Sequence, residues 1–261
     1  MDAAETLQRI GYLLDRVHAE GYRAQAYHRA AQVIGGLTAD EVVDRARTGR
    51  LVDLDHIGPK TAAIVEQVVA GQTPTYLAEL EQTTVITSGV GAALLAQLRG
   101  DCHTHSTWSD GGADVATMAR AARALGHEYL VLTDHSPRLR IANGLTPERL
   151  RRQLNEVAAV NEDLAGQAAA GHAPAFRILT GIEVDILDDG SLDQDDELLA
   201  ELDVVVASVH SKLRMETRAM TRRMATAMAN PPIDILGPCT RRPRTGKGQP
   251  ESTFDAEHAL A

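Results

Sequence analysis

Cys102-His103-Thr104-His105-Ser106-Thr107-Trp108-Ser109-Asp110-Gly111 opens the second part of the chain. Side chains along a strand alternate with a period of two, so His103 and His105 point the same way and both imidazoles can reach one metal ion. The arrangement recurs downstream. Leu130-Val131-Leu132 runs into Asp134-His135, Gly181-Ile182 into Glu183, and Val204-Val205-Val206 into Ser208-Val209-His210. In a parallel barrel the C-terminal strand ends form one face, where residues distant in sequence converge. Six candidate metal ligands follow: His103, His105, Asp110, His135, Glu183 and His210. One histidine at a strand end is ordinarily a hydrogen-bonded structural residue, but its repetition over several strands points to a metal centre. Glu183 can bridge two ions. A multi-ion cluster makes hydroxide near neutral pH and clamps phosphate oxygens, so phosphate-ester hydrolysis is the natural chemistry.

Around these residues the texture is α/β. Short β-rich runs at Tyr129 to Thr133, Arg177 to Leu187, Leu202 to Val209 and Ile233 to Leu236 alternate with helical stretches at Asp114 to Leu125, Pro147 to Ala170 and Thr217 to Met228. That alternation predicts a parallel sheet or barrel. The acidic residues Asp185, Asp188, Asp189, Asp193, Asp195 and Asp196 lack calcium-loop spacing, because Leu187 takes the middle ligand position, and read as a solvated loop entering a helix.

Residues 1 to 99 read instead as all-helical, with Leu7, Ile10, Leu13, Leu14 and Val17 at three- and four-residue spacing. Thr38 with Glu41 predicts a helix-starting capping box, Gly49 a stop, and Thr61 to Val69 a helix ended by Gly71. The expected boundary is near residue 100, giving domains 1–99 and 100–261. Leu54-Asp55-His56-Ile57-Gly58-Pro59-Lys60-Thr61 fits a tight turn that directs several backbone amides outward at a helix N-terminus, a site for one DNA phosphate with Lys60 adding charge. A weaker copy, without the lysine, holds Gly89 and Gly91.

The 261 residues carry a formal net charge of -10. Nine basic residues face twelve acidic ones over 1–99, and seventeen face twenty-four over 100–261. Neither part offers a broad positive face for tight, sequence-blind nucleic-acid binding, although a local phosphate site remains open. Aromatic content of 3% argues against base-stacking platforms. Two cysteines cannot make a disulfide framework, and no apolar run nears the roughly 20 residues that span a bilayer, so a cytoplasmic protein without a membrane partner is expected. Arg241, Arg242, Arg244 and Lys247 read either as a phosphate-holding loop or as a mobile basic one, and His18, His28, His127 and His172 carry no assigned role.

His103-Thr104-His105-Ser106-Thr107-Trp108-Ser109-Asp110-Gly111, Leu132-Thr133-Asp134-His135-Ser136, Gly181-Ile182-Glu183-Val184-Asp185 and Val205-Val206-Ala207-Ser208-Val209-His210 resemble the first motifs of the PHP (polymerase and histidinol phosphatase) superfamily. The resemblance runs from about 101 to 255 and implies a distorted (β/α)7-type barrel holding three metals. It implies His103, His105 and Glu183 around one ion, Glu183 and His210 around a second, and Asp110 with His135 around a third, with Glu183 and His210 acting in catalysis through bound metal. Pro238 stands where close members carry a histidine ligand of the second metal, and Cys239 is shifted by one residue, which turns a strand side chain to the other face. The family's last Asp-x-His motif would follow residue 261. Each ion is therefore expected to lack one ligand, with fewer than three of Zn, Mn or Fe bound. The incomplete barrel would leave an edge for a partner or a second copy to cover.

Residues 5–98, through Arg23-Ala24-Gln25-Ala26-Tyr27-His28-Arg29-Ala30-Ala31 and the two glycine turns, resemble the helix-hairpin-helix domain of X-family DNA polymerases, whose bacterial members end in a PHP domain. The palm domain is absent, and Ile64 takes the place of the lysine nucleophile of some relatives, so neither polymerase nor lyase chemistry is implied. Three functions stay open: a phosphoesterase acting weakly on DNA ends or nucleotide phosphates, an inert DNA-binding or interaction protein, and a small-molecule phosphatase resembling histidinol phosphatase.

Overall fold

Asp2 starts the first helix, α1 (Ala3–Arg16), through a capping box: its side chain takes the Glu5 amide while Glu5 takes the Asp2 amide. The apolar stripe Leu7, Ile10, Leu13 and Leu14 is buried, mostly against α2 (Gly21–Gly35). Gly11 makes this contact possible, since a Cβ there would lie 2.6 Å from the His28 ring. Helix α3 (Ala39–Thr48) opens with the Thr38–Glu41 capping box and closes on Gly49 in the left-handed region, at φ 69°. Helices α4 (Pro59–Val69), α5 (Thr75–Thr83) and the short α6 (Val90–Leu95) follow.

The computed structural model describes residues 2–17, 21–84, 90–237 and 252–259. The chain forms two compact units, Met1–Ala96 and Gln97–Ala261. No helix among the described residues is long and apolar enough to cross a membrane.

The turn before α4 departs from the sequence reading. His56, not Gly58, takes the left-handed conformation, at φ 63°. Gly58 is extended, its amide donates to Thr61 Oγ1 at 2.9 Å, and the Ile57 amide donates to the Leu54 carbonyl. Pro59 has no N–H. The Ile57 and Gly58 amides are thus spent within the turn, and Pro59 adds none. Gly91 lies in the first turn of α6 and not in a loop, while Gly89 lies outside the described residues, as do His18, Pro238, Cys239, Arg241, Arg242, Arg244 and Lys247.

In the second unit β1 (Gly100–Thr104), α7 (Val115–Ala124), β2 (Tyr129–Leu132), α8 (Pro147–Ala169), β3 (Arg177–Asp185), α9 (Asp196–Leu199), β4 (Val204–Ser208), α10 (Thr217–Met228), β5 (Ile235–Leu236) and α11 (Ala256–Ala259) follow in order. The five strands pair in parallel in the sequence β1-β2-β3-β4-β5. Each neighbour in sequence is a neighbour in the sheet, with helices as crossovers, so the wall advances in one direction as part of a barrel does. Strand β3 serves two partners. Tyr129 to Leu132 pair with Arg177 to Thr180, and Gly181 to Asp185 pair with Val204 to Ser208. The change falls at Gly181, where a Cβ would come within 2.8 Å of Val131 Cγ1 and the Val204 carbonyl. One buried cluster joins Val115, Ala119, Leu130, Leu132, Val157 and Ile178, and a second joins Leu150, Ile182, Val184, Val205, Ala207, Met220 and Met224.

Candidate metal centre

Pairing of β2 with β3 continues past Leu132. The Glu183 amide donates to the Asp134 carbonyl and the Ser136 amide to the Glu183 carbonyl, which sets His135 beside Glu183. Glu183 therefore lies inside β3 and not at its end as the sequence suggested, because β2 is shorter and its following loop supplies the neighbouring ligand. His103 comes from β1, His105 from just beyond it, and His210 from just beyond β4.

The six side chains come together. Oε2 of Glu183 lies 3.3 Å from His103 Nε2, 3.4 Å from His105 Nε2 and 2.8 Å from His135 Nδ1, and Oε1 lies 3.4 Å from His210 Nε2. Asp110 bridges the other side, 3.1 Å from His105 Nδ1 and 3.5 Å from His135 Nε2. Glu183, His210 and His135 form a buried floor, with side chains 3%, 6% and 9% exposed, whereas the Asp110 side chain at 49% marks the open side. Three overlapping groups have ligand atoms all within 4.8 Å of one another: His103, His105 and Glu183; His105, Asp110 and His135; His135, Glu183 and His210. The geometry adds His105 to the Asp110–His135 pair and His135 to the Glu183–His210 pair.

Whether such residues suit a metal is tested by their hydrogen bonds. His135 Nδ1 is buried and only 2.8 Å from a carboxylate oxygen, yet makes no hydrogen bond of normal geometry. His210 Nδ1 is likewise buried without a bond. Imidazoles crowded on a carboxylate without bonding to it are arranged to share a third body, and His with carboxylate is a donor set for Zn, Mn or Fe. The residues fit a divalent cluster.

Electrostatics agree with that use. Burial alone would raise the Glu183 carboxyl, but the imidazoles of His103, His135 and His210 hold it well below the ordinary carboxylate range. Burial lowers His210, while the carboxylates of Asp185 and Glu183 outweigh it and lift the group to about 9. His105 is pulled below its ordinary value by burial and by His135.

Two residues escaped the sequence reading. Asp134 is buried and accepts from the Ser106 and Ser109 amides, both their hydroxyls and Gln153 Nε2, pinning the loop that presents Asp110. Its place next to His135 was the available signal. Asp185 does not belong to the solvated acidic run that its sequence neighbours suggest: it is 2% exposed and its Oδ1 accepts the His210 amide at 3.1 Å. As the alternate residue after Glu183 in β3 it shares that residue's side of the strand, which places it inside.

In the first unit, Gly58 and Lys60 border a cavity of about 880 Å³ also lined by Arg23, Tyr27, His56 and Tyr76. Ile64 faces the same cavity and is otherwise part of the core.

Residues 101–231 match the PHP domain family. The DNA polymerase/3'-5' exonuclease PolX of Bacillus subtilis is 45% identical over 148 residues, covering 57% of this chain and 24% of that protein. A probable phosphatase of Thermoanaerobacter sp. is 31% identical over 143 residues, 52% of each chain. Another from Acetivibrio thermocellus is 31% identical over 165 residues, 61% of this chain and 58% of its own. The chain thus spans between about a quarter and just over half the length of these relatives. With the match extending over half its length and across the strands that carry the six converging side chains, this chain belongs to the PHP domain family.

Proposed function

We propose that the chain is a metal-dependent phosphoesterase acting on DNA ends or nucleotide phosphates. The observation that carries this reading is the sharing of Glu183 and its histidines among three overlapping ligand groups. Bound divalent ions supply a hydroxide nucleophile and neutralise phosphate oxygens. The chain's own residues do the rest. His103, His105 and Glu183 would hold one ion, and His135, Glu183 and His210 or His105, Asp110 and His135 would hold another, with fewer than three bound together. Glu183 stays ionised at neutral pH and so remains a ligand. The half-exposed Asp110 leaves the site open on its side for a phosphate group.

Pro238 offers no donor, so the group containing His210 is expected to hold its ion least firmly. The likeness to a polymerase/exonuclease and to probable phosphatases supports phosphoester substrates without choosing between them. The Lys60 cavity supports DNA over a small molecule, since it adds a cationic helix start to the first unit. Hydrolysis of p-nitrophenyl phosphate and of a 3′-labelled duplex, each with Mn added, tests the proposal. Slow hydrolysis that His103→Ala and Glu183→Ala both abolish is expected. Turnover unaffected by either variant would refute the assignment, and preference for the duplex would separate DNA ends from small phosphates.

A further inference from the structure

Asp185 is a buried carboxylate whose place in the fold calls for an explanation. Its Oδ2 meets Arg138 Nε at 3.3 Å, but Arg138 is half exposed and such a pair stabilises little. Its backbone is fixed from two sides, the amide donating to Ser136 Oγ at 3.0 Å and to Asp193 Oδ1 at 2.9 Å. The other oxygen, Oδ1, faces His210: it accepts the His210 amide at 3.1 Å and lies 3.5 Å from Nδ1 of the ring. That Nδ1 is buried and without a hydrogen bond, while Nε2 of the same ring faces Glu183 at 3.4 Å. A buried N–H left unpaired costs on the order of 1–3 kcal/mol. Asp185 is the acceptor in reach.

We propose that Asp185 is a positioning residue of the metal centre: it takes the Nδ1–H of His210 and so presents the lone pair of Nε2 to an ion held with Glu183 and His135. The inference rests on the metal reading above. A histidine ligand whose far nitrogen is held by a carboxylate keeps one tautomer and one ring orientation, and loss of such a partner commonly weakens metal binding 10- to 100-fold. Asparagine at 185 would keep the size, but an NH2 facing the Arg138 Nε–H opposes donor to donor; turning the amide over relieves this and sets the NH2 against the His210 amide and Nδ1, favouring the wrong tautomer.

The test is a zinc titration of wild type, Asp185→Asn and Arg138→Met in the full chain against a chromophoric chelator, with 15N imidazole spectra of the zinc-loaded wild type. The His210 resonances are assigned by their loss in His210→Gln. Zinc binding about 10- to 100-fold weaker in Asp185→Asn, unchanged in Arg138→Met, with His210 protonated at Nδ1, is the expected result. Unchanged affinity in Asp185→Asn, equal loss in both variants, or His210 protonated at Nε2 would overturn the proposal. Should Asp185→Asn fail to fold, the wild-type spectrum decides alone. A wild type that binds no zinc at all would instead overturn the metal reading itself.

Discussion

Glu183 and His210 set a pH window for the metal-free protein. His210 rises from 6.5 to about 9 on folding, so its pairing with Asp185 and Glu183 contributes fully below pH 6.5 and is lost as pH climbs through about 9. Glu183 moves the other way. Its contribution is present above 4.5 and lost as pH falls below that value. These two groups together contribute most between pH 4.5 and 6.5, while His105, held below its ordinary value, works against folding as pH falls below 6.5. A metal needs the neutral imidazole, so binding near pH 7.5 must expel the His210 proton. Calorimetric titration with zinc in buffers of different ionisation enthalpy should report about one proton released on this account, and no such release from His210→Gln. An identical proton count in the two proteins would contradict the charged His210. Thermal unfolding of the metal-free chain should move to lower temperature between pH 6.5 and 9, the reverse of its behaviour with metal.

Strand β3 is the element on which the site depends, because its pairing with β4 begins at Gly181, two residues before Glu183, while its other edge still bonds the loop after β2. Alanine there meets the Val204 carbonyl at 2.8 Å, and a backbone neighbour cannot rotate away. Gly181→Ala should cost about 1–3 kcal/mol in urea unfolding and weaken metal binding, since the displaced backbone carries Glu183. Gly58→Ala, where the added Cβ meets nothing, should leave metal binding unchanged and lose only the difference between glycine and alanine as the N-cap of α4, so it serves as the control for the metal measurement. An unaltered unfolding midpoint in Gly181→Ala would show that β3 adjusts freely. The apolar runs made β2, β3 and β4 legible in the sequence, since strands buried on both faces need continuous hydrophobic residues whatever their partners. His103 and His105 were legible for the same local reason, their spacing being set within one strand. What lay hidden depended on neighbours. Asp185 looks like one more acidic surface residue until β4 places His210 against it. The turn before α4 offers fewer free amides than its sequence suggests, because the Thr61 hydroxyl takes the Gly58 amide, a side-chain bond that the glycine pattern does not reveal.

At the scale of the molecule, two units with separate cores divide the candidate residues, the six candidate metal ligands in one and the Lys60 turn in the other. The first unit, with eight basic and twelve acidic residues over Met1–Ala96, has little charge to spare for DNA. Binding through the turn would then rest on Lys60, Arg23 and the N-terminus of α4, against a net negative surround. Such a site neutralises one or two phosphates, and each contributes about -0.9 to the slope of log affinity against log salt. Duplex-end binding by the full chain should therefore be weak, with a slope of roughly -1 to -2. Lys60→Glu should remove about one unit of that slope and leave metal binding untouched, because Lys60 belongs to the first unit and the six ligands to the second. A slope several times steeper would mean that a broader surface meets the DNA. End-binding unchanged in Lys60→Glu at low salt would reduce the turn before α4 to a structural connection, and the choice of substrate would pass to the metal centre alone.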